Sequence, residues 1–124
     1  MGMYGSLIMK VEIFVTPEDG KVIKLLEPLI ITVKGKEYTI DEGYCSNGLS
    51  CPRWGWSLVS PTIDNRTIRA AVAHDWLYEN HVCTRKEADD WFYDAMVEDG
   101  FPKFRAYLAW VGVRIGGGSH YKIA

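Results

Sequence analysis

The fold of this chain is decided by a stretch that reads Ala70-Ala71-Val72-Ala73-His74-Asp75-Trp76-Leu77-Tyr78 and, after a short polar break, Thr84-Arg85-Lys86-Glu87-Ala88-Asp89-Asp90-Trp91-Phe92. Apolar residues recur at helical spacing in both halves, so the stretch predicts two helices joined by a tight connection. The second helix begins with a capping box, in which the side chain of Thr84 caps the helix and Glu87 reaches back to it. We predict these helices over residues 67–80 and 85–98.

A third helix is predicted over residues 102–115. Pro102 is a favourable residue for the first helical position, and the glycines at positions 116–118 end the pattern. An apolar stripe between them consists of Phe104, Tyr107, Leu108, Val111 and Ile115. We expect residues 116–124 to be a loose tail.

The residues before the helices carry the pattern of strands. Apolar residues alternate with charged ones near Lys10 and Glu12, and three further short apolar runs follow before position 41. Turn residues such as Pro17, Gly20 and Gly35 separate the runs. We predict an N-terminal antiparallel β-meander of three or four strands within residues 7–40, and with the helices this gives one α+β domain over residues 1–124.

A long loop is predicted over residues 41–66, because glycines and prolines interrupt every regular pattern there. Trp54 and Trp56 are too apolar for a free surface loop, so we expect the loop to cover the helices. An ordered irregular loop of this length in a compact domain often has a functional role.

Composition limits the classes of partner and the cellular compartments that we expect for this protein. The net charge is −2 and no long run of Lys or Arg occurs, so a nucleic-acid partner is not expected. The apolar runs are too short for a transmembrane segment, and residues 1–10 lack the charged start of a secretory signal. An odd number of cysteines, Cys45, Cys51 and Cys83, argues against a disulfide framework, and whether they do more than pack stays open.

The candidate site combines a histidine with carboxylates on the neighbouring helix. An imidazole can take a proton from water near neutral pH, and it works better when a carboxylate holds its second nitrogen. His74 is the base in this hypothesis, and Asp89 or Asp90 is the orienting carboxylate. Asp75 lies on an adjacent face of the same helix, where it could hold Ca²⁺ together with loop carbonyls. The alternative is a structural histidine that a carboxylate satisfies across the helix interface.

Three linked motifs resemble a known family: Ser46-Asn47-Gly48-Leu49-Ser50-Cys51-Pro52-Arg53, then His74-Asp75-Trp76-Leu77-Tyr78, then Arg85-Lys86-Glu87-Ala88-Asp89-Asp90-Trp91-Phe92. Their order and spacing are similar to the phage and prophage family catalogued as domain of unknown function 1353. The resemblance implies a phage or prophage product that acts in the host cytoplasm or the virion. Asn47 stands where that family often has Asp, which would weaken a metal site, and Cys51 stands where it usually has an aliphatic residue.

A second likeness concerns mechanism, since phospholipases A2 carry a glycine-rich calcium loop followed by a helix with an H-D-x-x-Y motif. By that likeness His74 activates water, and Tyr78 and Asp89 hold the histidine network. Asp75 would bind Ca²⁺ with carbonyls near residues 43–48, and Asn47 would be a further ligand. The disulfides of the secreted enzymes are missing here.

Two functions therefore stay open. The first is a hydrolase with a His-Asp site, for which Ca²⁺ is the cofactor that the pattern allows. The second is a non-enzymatic virion or host-interaction protein, in which the same motifs are structural and the partner is unknown. In both, Ser50, Pro52 and Arg53 are expected to shape the site loop, and we expect Arg53 to pair with Asp75 or Asp89.

Overall fold

The chain folds as strands first and helices second, which is the α+β class expected from the sequence. The computed structural model describes residues 10–16, 20–46 and 65–116. Within them the strands are β1 (Val11–Thr16), β2 (Gly20–Leu25), β3 (Leu29–Val33), β4 (Lys36–Ile40) and β5 (Cys45–Ser46). The helices are α1 (Asn65–Asn80), α2 (Arg85–Glu98) and α3 (Lys103–Gly116).

The strands divide between two antiparallel sheets instead of forming one continuous meander. β2 is the central strand of a three-stranded sheet, with β1 on one side and the short β5 on the other. β5 was not expected from the sequence. Backbone hydrogen bonds from Leu25 N to Tyr44 O (2.9 Å) and from Gly43 N to Leu25 O (2.8 Å) return the chain to β2. This return pairs Ser46 with Ile23 and brings the start of the predicted loop beside the first sheet.

β3 and β4 form a separate hairpin that packs on α2. Its two-residue turn has positive φ at both positions, 52° at Lys34 and 80° at Gly35, and turns of this kind match the twist of the flanking strands. The predicted turn is therefore confirmed. Trp91 donates its indole N–H to Thr32 O at 2.9 Å, and Lys34 Nζ lies 2.6 Å from a carboxylate oxygen of Glu87. These contacts join the hairpin to the helix that carries Asp89.

The three helices agree with the predicted bounds to within two residues. The capping box at the start of α2 is confirmed: the Thr84 hydroxyl accepts from Glu87 N at 3.1 Å, and the Glu87 carboxylate accepts from Thr84 N at 2.9 Å. Because this cap ends the connection from α1, it fixes where Asp89 lies along α2. None of the helices in the described ranges has the length and hydropathy needed to cross a bilayer. Of the predicted tail, residues 116–124, Gly116 is instead the last residue of α3, and residues 117–124 lie outside the described residues.

In the described part of the chain, buried apolar side chains form two clusters of the core. The first joins the strands to α1, and the second lies among the three helices. α1 contributes to both clusters, with Val72 in the first and Ala70 in the second, because it is apolar on more than one face. The helix that carries His74 is thus enclosed by sheet and helices.

The connection between α2 and α3 is a tight reversal at Gly100, whose φ is 96°. Phe101 N donates to Met96 O at 2.9 Å and Gly100 N donates to Val97 O at 3.0 Å, which satisfies carbonyls at the end of α2. Phe101 is buried directly after the turn. The reversal lays α3 back along α2 and places its last turn near the start of α2.

We predict that Gly100→Ala destabilises the fold by about 1–2 kcal/mol, because an L residue at this positive φ is strained. Among the described residues, an added Cβ would meet the Arg66 side chain alone, at an ordinary 3.8 Å, so the cost arises from the backbone. Denaturant unfolding measures the effect. Lys103→Ala, at an exposed position just after the turn, is the control and should change stability by less than about 0.5 kcal/mol. Equal stability of the two variants would contradict the strained-turn argument.

Candidate functional site

His74 lies on the face of α1 that packs against α2, and its side chain is 1% exposed. Its Nε2 atom is 2.7 Å from Asp89 Oδ1, which is the contact that the sequence predicted for two packed helices. Its ring also packs against two aromatic rings, with centroid separations of 4.3 Å to Tyr78 and 4.5 Å to Phe92. In this arrangement Nε2 is directed at the carboxylate.

Asp89 accepts hydrogen bonds from the two other helices, α1 and α3, although its side chain is 0% exposed. Its Oδ1 atom accepts from His74 and from the Tyr78 hydroxyl, the latter at 2.5 Å. Its Oδ2 atom accepts from Arg114 Nη1 at 2.8 Å. A buried carboxylate is costly unless it is paired and hydrogen-bonded, and these donors meet that requirement.

The network sets the protonation states of its members. Burial alone would raise the pKa of Asp89, but the hydrogen bonds from His74, Tyr78 and Arg114 outweigh it, and the pKa is lowered. Burial and the bond to Asp89 raise the pKa of Tyr78, so its hydroxyl stays neutral and donates. An ionised carboxylate only accepts hydrogen bonds, so we infer that Nε2 of His74 carries a proton. In the neutral ring, Nδ1 then holds the free lone pair.

Two arginines attach the end of α3 to this network. Arg114 binds Asp89 directly, while Arg85 lies 3.3 Å from the Tyr78 hydroxyl through Nε. Nη2 of Arg85 donates to the carbonyls of Val113 (2.8 Å) and Arg114 (2.7 Å), which lie in the last turn of α3. Sequence reasoning assigned no role to either arginine. Arg85 is the first residue of the Arg85–Phe92 motif. No sequence pattern around Arg114 indicates a role, because only the packing of the helices brings it to Asp89.

Asp75 is half-buried and belongs to a neighbouring contact between α1 and β5. Its Oδ2 atom accepts from the Ser46 hydroxyl at 2.5 Å. One turn further along α1, Glu79 accepts from the Tyr44 hydroxyl at 3.0 Å. Burial raises the pKa of Tyr44, and the charges of Asp75 and Glu79 raise it further. This edge of α1 therefore carries two carboxylates next to the start of the predicted loop.

Asp90 is not the partner of His74, so the choice that the sequence left open is resolved in favour of Asp89. The carboxylate of Asp90 accepts from Trp110 Nε1 at 2.9 Å and from Lys86 Nζ at 2.8 Å. Of these adjacent carboxylates on α2, Asp89 therefore binds donors of both α1 and α3, whereas Asp90 binds α3 and its own helix.

The described residues contain no cluster of three or more histidine, cysteine or acidic side chains that could hold a metal ion. Asp75 supplies one carboxylate of the kind that Ca²⁺ prefers. The expected second ligand, Asn47, lies outside the described residues. So do Ser50, Pro52 and Arg53, and with them the expected pairing of Arg53 with Asp75 or Asp89.

Comparison with known proteins matches residues 23–113 to the family described as "Protein of unknown function (DUF1353)". His74, Tyr78 and Asp89 lie inside that range. A bacterial relative, described as "Uncharacterized protein y4iH" from Sinorhizobium fredii (strain NBRC 101917 / NGR234), is 38% identical over 68 residues. That match covers 55% of this chain and 28% of the relative. No solved structure matches the chain significantly.

We predict that Asp89 gives the protein a specific sensitivity to acid. Since its pKa is lower in the folded state, its stabilising contribution is present above the unfolded value near pH 4 and is lost as the pH falls through the folded value. Asp89→Asn should destabilise the protein by about 3–5 kcal/mol at pH 7, because a buried charge pair is broken. It should also flatten the dependence of unfolding free energy on pH below about 5.

Asp90→Asn is the matched control for this measurement. The pKa of Asp90 is also lowered, chiefly by its hydrogen bond from Lys86, but its side chain is half exposed and the pair is screened. Denaturant unfolding between pH 7 and pH 2 compares both variants with the native protein. A native-like acid slope in Asp89→Asn would show that Asp89 is not the charged centre of the network.

Proposed function

The chain belongs to the DUF1353 family, and from that premise we propose that it is a small hydrolase of phage or prophage origin in which His74 activates water. The contact that carries the proposal is the 2.7 Å bond between His74 Nε2 and Asp89 Oδ1. It fixes the tautomer that leaves Nδ1 as the basic nitrogen. Tyr78 and Arg114 bind the same carboxylate and hold it in place.

The reaction that this geometry supports best is ester hydrolysis. Nδ1 of His74 takes a proton from water while the water oxygen attacks the carbonyl carbon of the ester. The imidazolium that forms is stabilised by the Asp89 carboxylate, as in hydrolytic triads. When the bond from the carbonyl carbon to the alkoxide breaks, the imidazolium returns its proton to the leaving oxygen. The products are a carboxylic acid and an alcohol, and His74 is again neutral.

The likeness to phospholipases A2 makes a phospholipid ester the substrate class of the proposal. Asp75 is the described side chain that would bind Ca²⁺, with Asn47 and carbonyls near residue 43 as the further expected ligands. A bound Ca²⁺ would polarise the carbonyl oxygen of the ester.

A second candidate function is a non-enzymatic virion or host-interaction protein. The observation that favours it is burial: His74 and Asp89 are almost fully enclosed, and the same hydrogen bonds join three helices. In that case the network stabilises the fold and no reaction follows. Under either function the proposed location is the host cytoplasm or the virion.

We predict that His74→Gln lowers the rate of hydrolysis of a phospholipid or of a p-nitrophenyl ester by about two to four orders of magnitude. Folding should change little, because Gln is polar and of similar length. His81→Asn is the control, since Asn tolerates the positive φ of 52° at this position and His81 lies outside the network. Loss of stability of about 1–3 kcal/mol in His74→Gln, without any activity in the native protein, would favour the structural alternative.

We also predict that Ca²⁺ raises the melting temperature of the native protein, because a ligand that binds only the folded state stabilises it. Asp75→Asn should remove the shift. Glu79→Gln is the matched control: it lies one turn further along α1 at the same acidic edge, and the shift should survive there. A calcium shift that is equal in all three proteins would reflect general binding to carboxylates. No shift in the native protein would remove Ca²⁺ from the proposal.

A further inference from the structure

An open groove runs between α2 and α3, outside the network of His74. Its volume is about 400 Å³, and it is lined by Asp90, Tyr93, Asp94, Tyr107 and Trp110. The lining thus combines three aromatic rings with two carboxylates. Neither the proposed hydrolysis nor the structural alternative uses any of these side chains.

One wall of the groove is a preformed aromatic platform. The rings of Tyr107 and Trp110 are stacked, with centroids 5.9 Å apart and planes at 22°. Trp110 is held in place by its indole N–H, which donates to Asp90 at 2.9 Å. Tyr107 itself is 54% exposed. A ligand can therefore reach the platform without any rearrangement.

The charge in the groove is negative. Lys86 offsets Asp90 through a contact of 2.8 Å, but Asp94 is exposed and makes no hydrogen bond or ion pair with the described part of the chain. Among the described residues, no Lys or Arg side chain lies over the rings of Tyr93, Tyr107 or Trp110. Within the described part of the chain, the ring faces and the Asp94 carboxylate therefore carry no cation, and Lys86 pairs with Asp90 alone.

Elsewhere in the molecule, an aromatic ring beside carboxylates binds a guanidinium group. The Arg69 guanidinium lies 5.7 Å from the ring of Trp91, and it forms ion pairs with Asp99 at 2.9 Å and with Glu98 at 2.6 Å. All three of those partners belong to α2 or to the residue that follows it. An aromatic face beside carboxylates thus holds a guanidinium within this fold, and the groove repeats the same elements on a surface that is open to solvent.

We propose that the groove binds an arginine side chain of a partner protein. A planar guanidinium can stack on the Tyr107 ring and donate two N–H groups to the Asp94 carboxylate at the same time. A lysine ammonium lacks the flat face for stacking, and a quaternary ammonium has no N–H to donate. The arrangement therefore favours arginine over other cations, and the groove is a recognition site for an arginine-bearing peptide segment.

The test is a titration of the ¹⁵N-labelled protein with blocked arginine (N-acetyl-arginine methylamide), followed through the indole N–H resonance of Trp110. A single side chain on this open site should bind with a Kd of about 1–10 mM. Blocked citrulline, which is neutral and nearly identical in shape, should bind at least about tenfold more weakly, because the charge is lost. Choline and blocked lysine test the competing cations, and both should bind more weakly than arginine.

Variants at exposed positions locate the site. Asp94→Asn and Tyr107→Ala should each weaken arginine binding by about tenfold, since each removes one of the two contacts. Phe104→Ala is the matched control: Phe104 is an aromatic residue of the same helix, 72% exposed, and does not line the groove. The Kd of the Phe104→Ala variant for blocked arginine should change by less than about twofold. Unchanged melting temperatures confirm that all three variants fold.

Three results would overturn the proposal. Equal binding of citrulline and arginine would show that charge is not recognised. Binding of choline as tight as that of arginine would instead indicate a site for a quaternary ammonium headgroup of a lipid. Absence of a saturable shift with arginine up to about 50 mM would show that the groove is no arginine site.

Discussion

The structure depends on one buried carboxylate. Asp89 has no contact with solvent, and an ionised group in such a place costs several kcal/mol unless donors surround it. The donors come from two other helices: His74 and Tyr78 from α1, and Arg114 from α3. Each must arrive within hydrogen-bond distance at once. This requirement fixes the antiparallel register of α1 on α2 and the position of the last turn of α3.

Arg85 joins the C-terminal end of α3 to the same network. It stands in the first turn of α2 and binds the carbonyls of Val113 and Arg114, which carry the partial negative charge of a helix C-terminus. The same guanidinium reaches the Tyr78 hydroxyl. The beginning of α2 and the end of α3 are therefore joined around the network. A change in the packing of α3 would be transmitted to the carboxylate that holds His74.

The parts that the sequence predicted are those with a local physical cause. Helix bounds follow from apolar spacing and from the capping box, and the His74–Asp89 contact follows once two adjacent helices pack face to face. β5 was missed because Cys45–Ser46 is too short to show a period. The choice between Asp89 and Asp90, and the part played by Arg114, depend on how α3 docks. No local pattern encodes that docking.

The free-energy cost of burying the hydrogen-bond network around Asp89 is relevant to its function. A buried ion pair is weak support for stability, because apolar side chains of similar volume often stabilise a core equally well or better. Three polar groups around Asp89 are therefore hard to explain by stability alone. An imidazole held in one tautomer by an ionised carboxylate is, in contrast, what general-base catalysis needs. The adjacent contact between Asp75 and Ser46 adds a second polar pair on the same turn of α1. Concentration of polar groups and shifted pKa values at one place is typical of functional sites, and it favours the proposed hydrolase.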